Sequence, residues 1–134
     1  TQKLQYVLVD GSPGIGCPVI SSLSGADCAV IVTEPTVSGI SDMKRVCELA
    51  KKFMIPLGCI INKADLNPAL AEEIKDYLKI EKIELLAILN YDNDFHEAIT
   101  KGLSLVEYNE EKWRHSLENI WNMIINLNNK GSNE

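Results

Sequence analysis

Basic side chains are too few in this sequence to grip a polyanion. Lys and Arg total 13 against 19 Asp and Glu, a formal net charge of −6. Nucleic-acid binding draws on clustered cations, and here adjacent basic pairs occur only at Lys44-Arg45 and Lys51-Lys52. No nucleic-acid partner is expected. Long apolar runs are missing too; the longest reach strand length, well short of the roughly 20 residues a membrane helix needs. No membrane partner is expected, no leader is read in the opening Thr1-Gln2-Lys3, and the reading is cytoplasmic. The cysteines Cys17, Cys28, Cys47 and Cys59 form no C-x-x-C pair, so neither a zinc site nor a cluster is expected within the chain. Reduced thiols are the plain reading, with Cys28, Cys47 and Cys59 in the core and Cys17 in a loop.

What is present is an alternation of short apolar runs with helical periodicity. Residues 4–9 (LQYVLV), 28–32 (CAVIV), 57–61 (LGCII) and 83–89 (IELLAIL) read as four strands. Between them, residues 38–53 repeat apolar positions at helical spacing, with Ser38 or Ser41 as N-cap. Asn67-Pro68 opens another helix, since a proline at the first helical position lacks only an N–H that would be unpaired anyway. A short helix through Phe95 and Ala98 stops at Gly102. Residues 103–106 read as a short extended piece. Trp113, Leu117, Ile120, Trp121, Ile124 and Leu127 mark one face of a last helix starting near Asn109, with a frayed polar tail after residue 128. Strands apolar on both faces and alternating with helices imply an α/β fold, a three-layer parallel sheet with helices on both faces. Right-handed connections send every strand's carboxyl end to one edge, where ligands of open α/β sheets bind.

That edge collects the polar residues. Asp10 ends the first apolar run and enters a glycine-rich turn, Gly11-Ser12-Pro13-Gly14-Ile15-Gly16. A carboxylate there suits a hydrated Mg²⁺, and Gly14 allows a backbone N–H close to a terminal phosphate. Loss of that phosphate would release the loop, which is a switch. Thr33-Glu34, Asn62-Lys63-Ala64-Asp65 and Asn90-Tyr91-Asp92 end the other runs.

As an ordered set these residues carry a resemblance. DGSPGIGCPVI (residues 10–20), TEPT with Ser38-Gly39 and Asp42, NKAD with Asn67, and the stretch from Tyr91-Asp92 to Tyr108 resemble the carboxyl-terminal half of MinD/ParA-superfamily P-loop ATPases, especially those with a ferredoxin insertion. The resemblance covers about residues 4–108 and implies a partial P-loop NTPase fold, with residues 1–128 as the carboxyl-terminal part of the nucleotide-binding domain and 129–134 as a tail. It implies ATP and Mg²⁺ as cofactors, with Asp10 as the metal-side acid and Asp10 and Gly14 as the catalytic pair. Gly11, Ser12 and Pro13 would lie along the phosphates. Asn62, with Lys63 and Asp65, would read the base, and Asn90, Tyr91 and Asp92 would lie against it. Asp10 and Asn62 are then expected on neighbouring strand tips facing one crevice. The family implies ATP hydrolysis coupled to homodimerisation, and its ferredoxin-insert members imply an iron–sulfur or redox partner.

Two elements of that family are not in the sequence. No G-x-x-x-x-G-K-[ST] and no Gly-Lys dipeptide occurs, so the phosphate cradle is expected upstream, together with any iron–sulfur domain. The chain alone is expected to bind nucleotide weakly or not at all. Three rivals stand beside this reading. N-K-x-D is also the guanine-reading pattern of GTPases, though no Ser-Ala-Lys-like partner follows near residues 86–90. Asp10, Thr33 and Lys63 at strand ends also suit a non-catalytic, receiver-like binding module, which would need an acidic pair that is absent. An amidotransferase-type synthetase shares the same nucleotide half.

Overall fold

The computed structural model describes residues 5–11 and 17–132. A short helix α1 (Cys17–Leu23) leads to strand β1 (Ala29–Thr33), helix α2 (Val37–Lys52) and strand β2 (Leu57–Ile61). A 3₁₀ turn (Ala64–Leu66) precedes helix α3 (Pro68–Ile80), strand β3 (Glu84–Ile88) and helices α4 (Asp94–Thr100), α5 (Leu105–Tyr108) and α6 (Glu110–Ser132). The strands pair in parallel in the order β1-β2-β3, as expected for βαβ units whose crossovers are helices.

The central strand explains the layering. Every residue of β2 is buried, and its pleat sends alternate side chains to opposite faces. Leu57, Cys59 and Ile61 join Ile40, Met43, Cys47 and Ala50 of α2 and Ile74 and Leu78 of α3 in one core. Met43, Ile61, Ile74 and Leu78 are almost wholly enclosed, each worth about 1.5–3 kcal/mol of apolar transfer. The opposite face takes α6. There a Cβ added to Gly58 would lie 2.6 Å from Leu86 Cδ1 and 3.0 Å from Leu127 Cδ2, so glycine is what lets the last helix lie close to the sheet. Three layers result: α2 and α3, the sheet, then α6.

The helix starts follow local chemistry. Asn67 accepts from Leu70 N at 3.1 Å ahead of Pro68. Helix α2 is capped by Thr36, whose Oγ1 accepts from Gly39 N at 2.9 Å, rather than by Ser38 or Ser41, which lie inside the first turn. Gly102, at φ +68°, closes α4 in the left-handed region that glycine enters without penalty.

Several expectations are corrected. Residues 5–11 form no strand, and Val7, Leu8 and Val9 are exposed, so the sheet has three strands and not four. An apolar run becomes a strand only when a neighbour supplies ladder hydrogen bonds, and among the described residues β1 pairs with β2 alone. Within this run Tyr6 packs edge-on against Trp121 at 5.5 Å. Residues 105–108 are helical and not extended, because Ser104 and Glu107 form a reciprocal capping box that satisfies two terminal N–H groups. Helix α6 continues to Ser132, past the residue where a tail was expected. Cys28 is half-buried, unlike Cys47 and Cys59.

Candidate functional site

The site is built on the carboxyl ends of the three strands. Asn62 N donates to Thr33 O at 2.7 Å, extending the β1–β2 ladder by one bond, and Ala64 N donates to Leu89 O at 2.9 Å, extending β2–β3. The loops after β2 and β3 therefore leave the sheet side by side. A second tie crosses them: Tyr91 N donates to Asp65 Oδ1 at 2.7 Å. The NKAD loop and residues 90–92 form one rim.

Within that rim Lys63 stands at φ 52°, ψ 41°, a left-handed backbone that costs a non-glycine residue about 1–3 kcal/mol. Its N–H donates to Asn62 Oδ1 at 3.0 Å, which offsets part of that cost and orients the carboxamide. The Lys63 ammonium reaches Glu34 Oε1 at 3.2 Å and joins the tips of β1 and β2. Thr33 is buried with its hydroxyl donating to Gly39 O at 3.1 Å. A Cβ on Gly39 would fall 2.6 Å from Glu34 O, so this tight turn into α2 requires glycine.

The far side of the rim is held by α6. Lys112 Nζ lies 2.6 Å from Asp92 Oδ2 and 3.1 Å from Asp94 Oδ2. Asp92 Oδ1 accepts from Asp94 N at 2.9 Å, and Trp113 Nε1 donates to Asp94 Oδ2 at 2.9 Å. Hydrogen bonding from Lys112 lowers the Asp92 carboxyl below its ordinary value, and the same contact raises the Lys112 ammonium. Lys112 went unread in the sequence, and Trp113 was read only as part of the apolar face of the last helix. The available signal was a lysine in the first turn of a helix, after Glu110 and Glu111, where the helix dipole favours acids.

The expected site residues therefore divide into three groups. Asn62, Lys63, Asp65, Asn90, Tyr91 and Asp92 come together. Asp10 and Gly11 lie on exposed backbone outside any strand, Gly11 near Ser22 of α1, so Asp10 does not stand on a strand tip. Neither is hydrogen-bonded to the NKAD loop among the described residues. Ser12, Pro13 and Gly14 lie outside the described residues. No group of three or more His, Cys, Asp or Glu placed to hold a metal occurs among the described residues, and no helix there is long and apolar enough to cross a membrane.

A carboxamide matches the donor–acceptor edge of adenine, and Asn62 Oδ1 retains a lone pair beyond the one given to Lys63 N.

Comparison with known proteins agrees in outline. No family model matches the chain, and no solved structure matches it significantly. An uncharacterised protein of Methanocaldococcus jannaschii is 33% identical over 93% of this chain and 41% of its own length. From the same archaeon, an uncharacterised ATP-binding protein is 24% identical over 77% of this chain and 39% of its own. Its iron–sulfur cluster carrier protein is 29% identical over 78% and 40%. The septum site-determining protein MinD of Bacillus subtilis is 26% identical over 75% and 40%. The chain spans about two fifths of the length of these relatives. At 24–29% identity, the chain is similar to part of proteins named as ATP-binding, iron–sulfur cluster carrier and MinD proteins.

Proposed function

We propose that this chain forms the base-recognition and switch part of a MinD-like ATPase, with the NKAD loop and residues 90–92 receiving the adenine of ATP. The observation that carries the reading is the Asp65–Tyr91 bond, which joins two strand-end loops into a single rim at the edge where α/β sheets bind ligands. Asn62 reads the base edge, Lys63 and Asp65 hold the loop in shape, and Asn90, Tyr91 and Asp92 line its side. Tyr91, more than half exposed, offers an aromatic face for stacking.

Asp10 as the Mg²⁺-side acid and Gly14 as the phosphate-sensing amide complete the proposal, on the resemblance of their motif alone. ATP hydrolysis, homodimerisation and an iron–sulfur or redox partner belong to the same reading, on the resemblance; the names of the ATP-binding and cluster-carrier relatives support only its nucleotide and iron–sulfur themes. The phosphate cradle would lie in another part of the protein.

Titrating the whole protein with Mg²⁺-ATP and Mg²⁺-GTP tests this. Asn62→Ala is expected to weaken ATP binding by about 5- to 100-fold, the worth of one good base-edge contact, and GTP to bind less tightly than ATP. Unchanged ATP affinity in that variant, or a preference for GTP, overturns the base assignment. Micromolar binding by these 134 residues alone would overturn the placement of the phosphate grip elsewhere.

A further inference from the structure

We propose that Lys112 is a positioning residue for the base-side rim: from the first turn of α6 it holds residues 90–94 against the NKAD loop and so sets the affinity for the nucleoside end of the ligand. The inference rests on the reading of that rim as the base site, and it assigns a role to a helix that contributes no residue to the rim itself.

Five contacts carry it. The ammonium is shared between Asp92 and Asp94, and so grips the segment at two points two residues apart. The next residue, Trp113, takes the same Asp94 oxygen through its indole N–H and packs edge-on against Phe95 at 5.3 Å. Trp113 is buried, so the anchor for this grip is part of the core. At the opposite end the segment is tied by Tyr91 N to Asp65. Residues 91–95 are thus held at one end by the loop proposed to read the base and at the other by α6.

The location of the lysine argues for a specific role. A cation in the first turn of a helix opposes the helix dipole, and Glu110 and Glu111 beside it follow the usual preference. The unfavourable placement is offset by two carboxylates at 2.6 and 3.1 Å. Lys112 remains nearly half exposed, so its stem is not needed for packing and its removal leaves the core intact.

The experiment compares Lys112→Met and Lys112→Arg with the wild type in the whole protein, reading amide hydrogen exchange at Tyr91 and Asp94 and binding of Mg²⁺-ATP and of inorganic tripolyphosphate. Lys112→Met is expected to speed exchange at both amides by about fivefold, the scale of one surface ion-pair network, and to weaken ATP by a similar factor. Tripolyphosphate, which has no base, is expected to bind both proteins alike, a split that general loss of structure would not produce. Lys112→Arg is expected to restore both readings. Faster exchange with unchanged ATP affinity, unchanged exchange, or equal weakening of ATP and tripolyphosphate each overturns the inference while the base site stands. A wild type that binds no ATP overturns the base site itself, and the role of Lys112 with it.

Discussion

At the scale of single residues, burial decides the chemistry of the thiols. Cys59 is fully enclosed beneath α2 and α3, and loss of solvation, with Cys47 nearby, pushes its thiol up to about 12. Cys47 is raised to about 11, again chiefly by burial. Since the thiolate is the nucleophile, both are expected to resist alkylation at pH 8 in the native protein and to react only on unfolding, which mass spectrometry of iodoacetamide-treated protein reads directly. The linkage has a definite sign. Both folded values lie above the ordinary 9.0, so the contribution of these thiols to stability is complete below pH 9 and is lost as pH rises through 11 and 12. Rapid labelling of Cys59 under native conditions would refute the core placement. Their burial was legible from sequence, because Cys59 sits in an apolar run and Cys47 within a helix of apolar periodicity. The backbone of Lys63 was not, since nothing in N-K-A-D distinguishes an ordinary turn from a left-handed one.

At the scale of elements, β2 and α6 define the third layer through one position. Gly58 faces Leu86 and Leu127, and the Cβ of an alanine would approach both inside contact distance. Gly58→Ala is therefore expected to cost about 1–3 kcal/mol, the usual penalty for overpacking a filled core, read as a lower denaturant midpoint with little change in slope. A variant as stable as the wild type would mean α6 does not lie as close to the sheet as described. The three strands and helices α2, α3 and α4 were readable from periodicity to within one or two residues, and the Asn67-Pro68 start was readable outright. Such signals are local. The fourth run, residues 4–9, failed because a strand also needs a partner, and no local pattern states whether one is alongside. Residues 103–106 were read as extended although the S-x-x-E capping box at Ser104 and Glu107 was visible in the letters.

At the scale of the whole molecule, one side of the sheet is sparsely covered. Among the described residues strand β1 pairs on one edge only, its Val32 is exposed, and Val7, Leu8 and Val9 are exposed as well. An open edge with exposed apolar side chains favours chain-to-chain pairing. The 134-residue chain studied alone is accordingly expected to self-associate with rising concentration in sedimentation velocity. Val32→Lys is expected to reduce that association while leaving thermal stability within about 0.5 kcal/mol, as surface changes usually do. A monomer at all concentrations would show that this surface is not sticky.

The sequence by itself determined the α/β class, the order of helices and strands between residues 28 and 102, the burial of Cys47 and Cys59, and the edge at which polar residues gather, because each follows from local periodicity and the single hand of parallel crossovers. Only the tertiary structure decided that residues 5–9 find no ladder, that Asp65 binds Tyr91 across two loops, and that Lys112 grips Asp92 and Asp94 from 18 and 20 positions away in the chain. These depend on which surfaces meet once the chain is packed, and contacts between distant residues leave no periodic trace in the order of the letters.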